Sequence, residues 1–206
     1  MNIAVSGGMG SGKSFVASTL AELLGANIVS ADILCRELLQ LGNPGYLRLR
    51  ECLGDTYFSI DGEIDRAALR KSIFSDSGLR ADVDKILHPL VRQKLLDCAA
   101  GATRQNVDLV VEVPLLFEKG WQEDFDCTLV VYADVDICVS RIVARDHVSR
   151  EDALKSISTQ MPQSEKCKLG DWVVDNSGSF EETRVALRRI VGEISDSPCL
   201  SRVKSE

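Results

Sequence analysis

Residues 7–14 read GGMGSGKS, which puts Gly7, Gly12, Lys13 and Ser14 on the spacing G-x-x-x-x-G-K-[ST]. That spacing serves phosphate chemistry. Glycines let the backbone curl so that successive N–H groups converge on phosphate oxygens, the lysine reaches the β- and γ-phosphates, and the serine hydroxyl holds Mg²⁺. The segment predicts a nucleoside triphosphate site over Gly8, Met9, Gly10, Ser11, Gly12, Lys13 and Ser14, with Ser14 as the metal ligand. A plain glycine turn between strand and helix is the competing explanation. The flanks favour phosphate: residues 2–5 read as a short buried strand, and Val16, Leu20, Leu23 and Leu24 recur at helical spacing, so the loop opens onto a helix N-terminus that attracts anions.

Other residues carry weaker signals. Asp32 follows the second apolar run, in VSAD. Ligands of open α/β sheets bind beyond the carboxyl ends of strands, so Asp32 should face the phosphates, where a carboxylate accepts the proton of an attacking hydroxyl. Its other reading is the N-cap of a helix starting near Ile33, and position alone leaves both open. Arg141 and Arg145 lie one turn apart, opposite an apolar helical stripe, where they form either a clamp on transferring phosphoryl oxygens or a solvated face with ion pairs. Lys166 is a weaker candidate on spacing. Between residues 66 and 94, Arg66, Arg70, Lys71, Arg80, Lys85, Arg92 and Lys94 are opposed only by Asp76, Asp82 and Asp84. Such a local excess suits a small polyanionic substrate, or is an ordinary solvated surface. His88-Pro89 interrupts a helical pattern inside this patch; the histidine is either structural or a donor to phosphate.

These residues need a scaffold. Apolar runs at 2–5, 26–29, 108–113 and 128–132, with a weaker one at 172–175, suit parallel strands covered on both faces. Val135, Cys138, Val139, Ile142 and Val143 form the stripe of an amphipathic helix capped by Asp134. Ser179 and Glu182 form a capping box ahead of a last helix with Phe180, Leu187, Ile190, Val191 and Ile194 on its apolar face. Alternating strands and helices predict a doubly wound parallel sheet. Residues 43–100, mostly helical with turn signals at 43–45 and 75–78, read as a helical insertion. Residues 147–168, polar, with a capped short helix starting at Ser149, read as a mobile lid. The tail after Ser195, with Pro198, is expected to fray.

The chain has 206 residues, 45% hydrophobic content and a formal net charge of −7, which allows a packed core and argues against nucleic acid as the main partner. Cys35, Cys52, Cys98, Cys127, Cys138, Cys167 and Cys199 include no C-x-x-C pair and are odd in number, so reduced thiols in a cytosolic protein fit better than zinc or disulfides. No leader-like or membrane-spanning stretch stands out, so the chain is expected to be soluble and cytoplasmic and to start at its first strand.

As a set, these motifs resemble the dephospho-coenzyme A kinase family. The matching pieces are SGGMGSGKS (6–14), ADILCREL (31–38), Asp65-Arg66 with 69–74, LHPLV (87–91), PLLFE (114–118), RIVARD (141–146), Gln160 with Lys166, and DWVVDNSG (171–178). They span nearly the whole chain in the family's order, and PLLFE and the HP dipeptide are more specific than the loop. The resemblance implies a P-loop kinase-like α/β fold with a core at 1–42, 101–146 and 169–206, a helical substrate domain at 43–100 and a lid at 147–168. It implies Mg²⁺ and ATP-dependent phosphorylation of the ribose 3′-hydroxyl of dephospho-coenzyme A, with no membrane and no obligate protein partner. It also implies Asp32, Lys13 and Arg145 as catalytic residues. Phe15, Arg141, Asn176 and Gly178 join the loop in binding ATP, and Asp32, Arg36, Arg66, Arg70, His88, Pro114, Leu115 and Glu118 bind the acceptor. Small departures occur at Ser6, Cys35 and Trp172, and Met161-Pro162-Gln163 stands where relatives often carry another basic residue, which moves weight from Gln163 to Arg145 and Lys166.

Three rivals are weighed. A shikimate kinase should show a glycine triplet after the third strand, where this chain reads Glu112-Val113-Pro114-Leu115, and lacks room for so long an insertion. A GTP-binding switch needs N-K-x-D, which DNSG at 175–178 does not supply. A non-catalytic ATP-binding module leaves Asp32 and the two arginines without a purpose.

Overall fold

The structure is a computed structural model describing residues 1–196; the expected frayed tail with Pro198, and Cys199, lie outside the described residues. Five strands, β1 (Asn2–Gly7), β2 (Asn27–Ser30), β3 (Leu109–Glu112), β4 (Cys127–Tyr132) and β5 (Trp172–Asp175), form one parallel sheet in the order β2-β3-β1-β4-β5. The three inner strands match the continuous apolar runs because both faces are buried: Ile3, Val5, Val110, Leu129 and Val131 turn to one side, Ala4, Val111 and Val130 to the other, and none is more than 1% exposed. The edges depart from that expectation. Ile28 on β2 and Val173 on β5 are more than two-fifths exposed, since an edge strand lacks a neighbour.

Helix α1 (Lys13–Leu24) and the last helix cover the first face, where Val16, Leu20, Leu187, Ile190 and Ile194 join the strand residues in one core. The chain alternates through α2 (Ala31–Leu38), α3 (Pro44–Leu53), α4 (Arg66–Ser75) and α5 (Ser77–Gln105), then α6 (Val135–Asp146), α7 (Arg150–Ser158), α8 (Gln163–Leu169) and α9 (Phe180–Asp196). The capping box holds: Glu182 accepts the Ser179 N–H at 2.7 Å and donates its own N–H to Ser179 Oγ at 3.3 Å. Ser149 caps α7 as expected by accepting the Asp152 N–H. Asp134 occupies the cap position of α6 without a capping bond, because its carboxylate accepts the Tyr132 hydroxyl instead. The α6 stripe is buried at Cys138, Val139 and Ile142, whereas Val135, in the first turn, is 49% exposed.

Pro89 corrects a second expectation. Helix α5 runs through it over 29 residues. A proline forfeits one backbone bond and strains the preceding turn, but buried Val83, Leu87, Val91, Leu95, Ala99 and Ala102 hold this helix on both sides of it.

The described chain divides into two compact units, one of residues 1–29 with those from 99 onward, the other Ser30–Cys98. The second unit has its own small core of Leu49, Leu69, Val83 and Leu87, joined by Leu39, Phe58, Ile64 and Ile73. An antiparallel bridge between Phe58 and Ile64, inside the insertion read from the sequence as mostly helical, closes a turn in which the Tyr46 hydroxyl donates to the Gly62 carbonyl at 2.6 Å.

Candidate active site

The phosphate loop joins β1 to α1. Gly10 and Gly12 hold φ values of 78° and 88°, a left-handed backbone that favours glycine. Space demands glycine as well: a Cβ on Gly10 would meet the Cys138 carbonyl oxygen at 2.5 Å, and one on Gly12 would overlap Asn176 Nδ2. The loop is gripped from the sheet's far side. Asn176, 1% exposed just after β5, donates to the Ser11 carbonyl at 2.7 Å and accepts the Thr183 hydroxyl at 2.9 Å. Arg141 donates to the carbonyls of Ser11 (3.2 Å), Gly10 (3.4 Å) and Asn176 (2.9 Å). Lys13 Nζ bonds the Gly8 carbonyl at 2.8 Å, across the mouth of the loop. The Phe15 and Phe180 rings lie 4.7 Å apart beside it.

Glu112 was not singled out from the sequence. The pairing Val5↔Glu112 puts its side chain on the same sheet face as Val5, the face that carries α1, and there Ser14 Oγ donates to Glu112 Oε1 at 2.8 Å. Glu112 is 8% exposed. A lone carboxylate closing an apolar strand, one strand away from the loop, was the available signal. Ser14 hydroxyl and Glu112 carboxylate are hard oxygen donors, the type Mg²⁺ takes alongside phosphates and water.

The segment expected as a lid carries a second helix, α8, beyond the foreseen one. Helix α7 packs on α6 through Ala153 and Ile157 against Val139, Ile142, Val143 and Met9. Arg145 is bonded through two nitrogens to the Asp146 carboxylate at 2.8 and 2.7 Å, which raises the guanidinium pKa. Lys166 is 0% exposed and pairs with Glu118 Oε1 at 2.7 Å. Pro114 and Leu115 are half-buried in the turn that follows β3. Gly178 follows β5 with the Glu182 carboxylate packed on it. A cavity of about 510 Å³ lies beside Gly8, walled by Tyr132, Ile137, Ile157 and Met161.

In the second unit, Asp32 is not the helix cap. Ser30 occupies that position, and exposed Asp32 sits in the first turn of α2. Exposed Arg36 ends the same helix, and Arg66 reaches its carbonyl at 3.5 Å. Arg70 stands one turn along α4, and His88 Nε2 lies 3.5 Å from Asp84. Burial, followed by the Asp32 carboxylate, pushes the Cys35 thiol pKa up, away from nucleophilic use. The six described cysteines form no disulfide with one another.

A parallel sheet of this order with a glycine-lysine-serine loop after β1 defines a P-loop kinase. Shikimate kinase from Acinetobacter baumannii shares the fold, with TM-score 0.56 at 16% identity over 97% of this chain and 95% of that one. Residues 1–182 match the family described as dephospho-CoA kinase, and the chain belongs to that family. A dephospho-CoA kinase of Desulfotalea psychrophila is 42% identical over 183 residues, 89% of this chain and 92% of its own. The Thermus thermophilus protein TT1252 superposes with TM-score 0.78 at 33% identity, covering 94% and 97% of the two chains. A dephospho-CoA kinase from Campylobacter jejuni gives 0.70 at 26%, covering 95% and 97%.

Proposed function

We propose that the protein transfers the γ-phosphoryl group of ATP to the ribose 3′-hydroxyl of dephospho-coenzyme A, giving coenzyme A and ADP, the last step of coenzyme A biosynthesis. The observation that carries this reading is the loop in a chain of this family, with Lys13 at its mouth and Ser14 bonded to Glu112. In the reaction a bond forms between the 3′-oxygen and the γ-phosphorus, the bond from that phosphorus to the β–γ bridging oxygen breaks, and the hydroxyl proton passes to Asp32. Lys13 neutralises charge on the β- and γ-phosphates, and the loop N–H groups from Gly8 to Ser14 hold them. Mg²⁺ brought with ATP would supply positive charge to the phosphates, and Ser14 and Glu112 are the residues that would hold it.

Arg141, Phe15, Asn176 and Gly178 complete the nucleotide side. Helical segment 43–100 takes the acceptor with Arg66, Arg70 and His88, helped by Arg36, Pro114, Leu115 and Glu118. Segment 147–168 covers the transferring group and brings Arg145 to it, excluding water that would otherwise hydrolyse ATP. Described cysteines that form no disulfide with one another suit a reducing cytoplasm, and among the described residues no helix is long and apolar enough to cross a membrane. With Mg²⁺ and its two small-molecule substrates, the proposed enzyme needs no obligate protein partner.

A coupled ADP-release assay over dephospho-coenzyme A, shikimate, nucleosides and nucleoside monophosphates tests the reading. Turnover should be confined to dephospho-coenzyme A, and preference for another acceptor overturns it. Replacing Arg66, Arg70 and Lys71 together by alanine should raise the KM for dephospho-coenzyme A about tenfold or more, the scale of one lost charge-assisted contact, with the KM for ATP little changed. Equal effects on both substrates would make these residues structural.

A further inference from the structure

Lys166 is fully buried, and an ammonium group is tolerated there only with a counter-charge and acceptors for its protons. Both come from the loop after β3: Glu118 Oε1 at 2.7 Å and the Pro114 carbonyl at 2.9 Å. Each is shared. The Pro114 carbonyl also accepts Ser6 Oγ at 3.4 Å, one residue ahead of the phosphate loop, and Glu118 Oε1 also accepts the Met161 N–H at 3.1 Å. Lys166 therefore draws the turn before α8 onto the post-β3 loop.

That turn reaches the phosphate loop directly. Gln160 Oε1 accepts the Met9 N–H at 3.0 Å. Gln163 is locked to Ala133, accepting its N–H at 3.2 Å and donating to its carbonyl at 3.1 Å. It lies so close to Gly8 that a Cβ there would meet Gln163 Cδ at 2.7 Å. Arg141 and Asn176 grip the second half of the loop, at Gly10 and Ser11, whereas residues 160–163 press on its first half, at Gly8 and Met9.

We propose that Lys166 is a positioning residue for phosphoryl transfer: through Glu118 and Pro114 it holds Gln160 and Gln163 against Met9 and Gly8, and so fixes the first half of the phosphate loop. It does not reach the phosphates itself. Rate depends steeply on such placement, since a reacting group displaced by about 1 Å can lose on the order of 10²-fold. The inference rests on the kinase reading above, and wild-type turnover of dephospho-coenzyme A tests that reading separately from the variants.

The experiment compares Lys166→Met, Gln160→Ala and the double variant in the full chain, by melting temperature and steady-state kinetics per folded molecule. Lys166→Met should lower kcat by about 10²-fold, the misplacement scale. Gln160→Ala strands no buried charge, so it should keep its melting temperature and lower kcat about tenfold, with the KM for dephospho-coenzyme A within about twofold. Because both substitutions release the same contact, the double variant should be no slower than Lys166→Met alone. A lowered melting temperature with unchanged kcat in Lys166→Met overturns the proposal, as does a fully additive double variant. If Lys166→Met does not fold, Gln160→Ala decides: reduced kcat at an unchanged melting temperature supports the proposal, and wild-type kcat overturns it.

Discussion

Asp32→Asn is expected to lower kcat by about 10²- to 10⁴-fold, the range for a lost general base, while leaving the protein folded. A neutral sugar hydroxyl is a poor nucleophile, and the loose transition state of phosphoryl transfer needs its proton accepted late. A carboxylate hydrogen-bonded to the 3′-hydroxyl orients it and takes that proton; an amide of the same shape can orient but not accept. The small stability cost follows from where the residue sits. Ser30 holds the cap position of α2 and Asp32 is exposed in the first turn, so the substitution loses only a charge–dipole attraction worth about 0.3–1 kcal/mol. In a chain of this size that lowers the melting temperature by only about 2–4 °C per kcal/mol. Kinetics per folded molecule beside a thermal melt check both halves. A collapsed melting temperature with kcat intact would make Asp32 a structural residue of α2.

The parts of this molecule governed by hydrophobic burial or by local motifs were readable in the sequence, and the parts governed by polar groups paired across long stretches of chain were not. The inner strands announce themselves because burial on both faces leaves Val110, Val111, Leu129, Val130 and Val131 no polar alternation. Ser179 and Glu182 did so because a capping box is a local motif with fixed spacing. Helix α8 was missed: QSEKCKL has no apolar stripe, and its most buried residue, Lys166, is held by an ion pair whose partner lies 48 positions earlier in the chain. A lysine in a polar segment reads as a solvated lysine until Glu118 is seen beside it. Pro89 misled for the opposite reason, because a local rule about proline was outweighed by packing along a 29-residue helix. In the site, the loop's spacing gave Lys13 and Ser14, but the carboxylate that meets Ser14 depends on strand register. Only the pairing Val5↔Glu112 shows that this residue faces α1.

Lys13→Ala is expected to reduce turnover by on the order of 10³-fold, the scale of a removed electrostatic stabiliser at a developing charge, with the loop still formed. The lysine's own bond, from Nζ to the Gly8 carbonyl, is one of several that shape the loop. Arg141 and Asn176 still hold the carbonyls of Gly10 and Ser11, and Gln160 still holds the Met9 N–H. Position 13 opens α1, where alanine is the best helix former, so the helix itself loses nothing. In the proposed reaction the missing group is the positive charge that meets the β- and γ-phosphates as the bond from the γ-phosphorus to the bridging oxygen breaks. Because that charge counts more in the transition state than in the bound ground state, kcat should fall further than the KM for ATP rises. Steady-state kinetics with ATP varied at saturating dephospho-coenzyme A read this split. Near-wild-type turnover in a folded Lys13→Ala protein would remove the loop from the reaction, and loss confined to ATP affinity would leave Lys13 as a ground-state anchor.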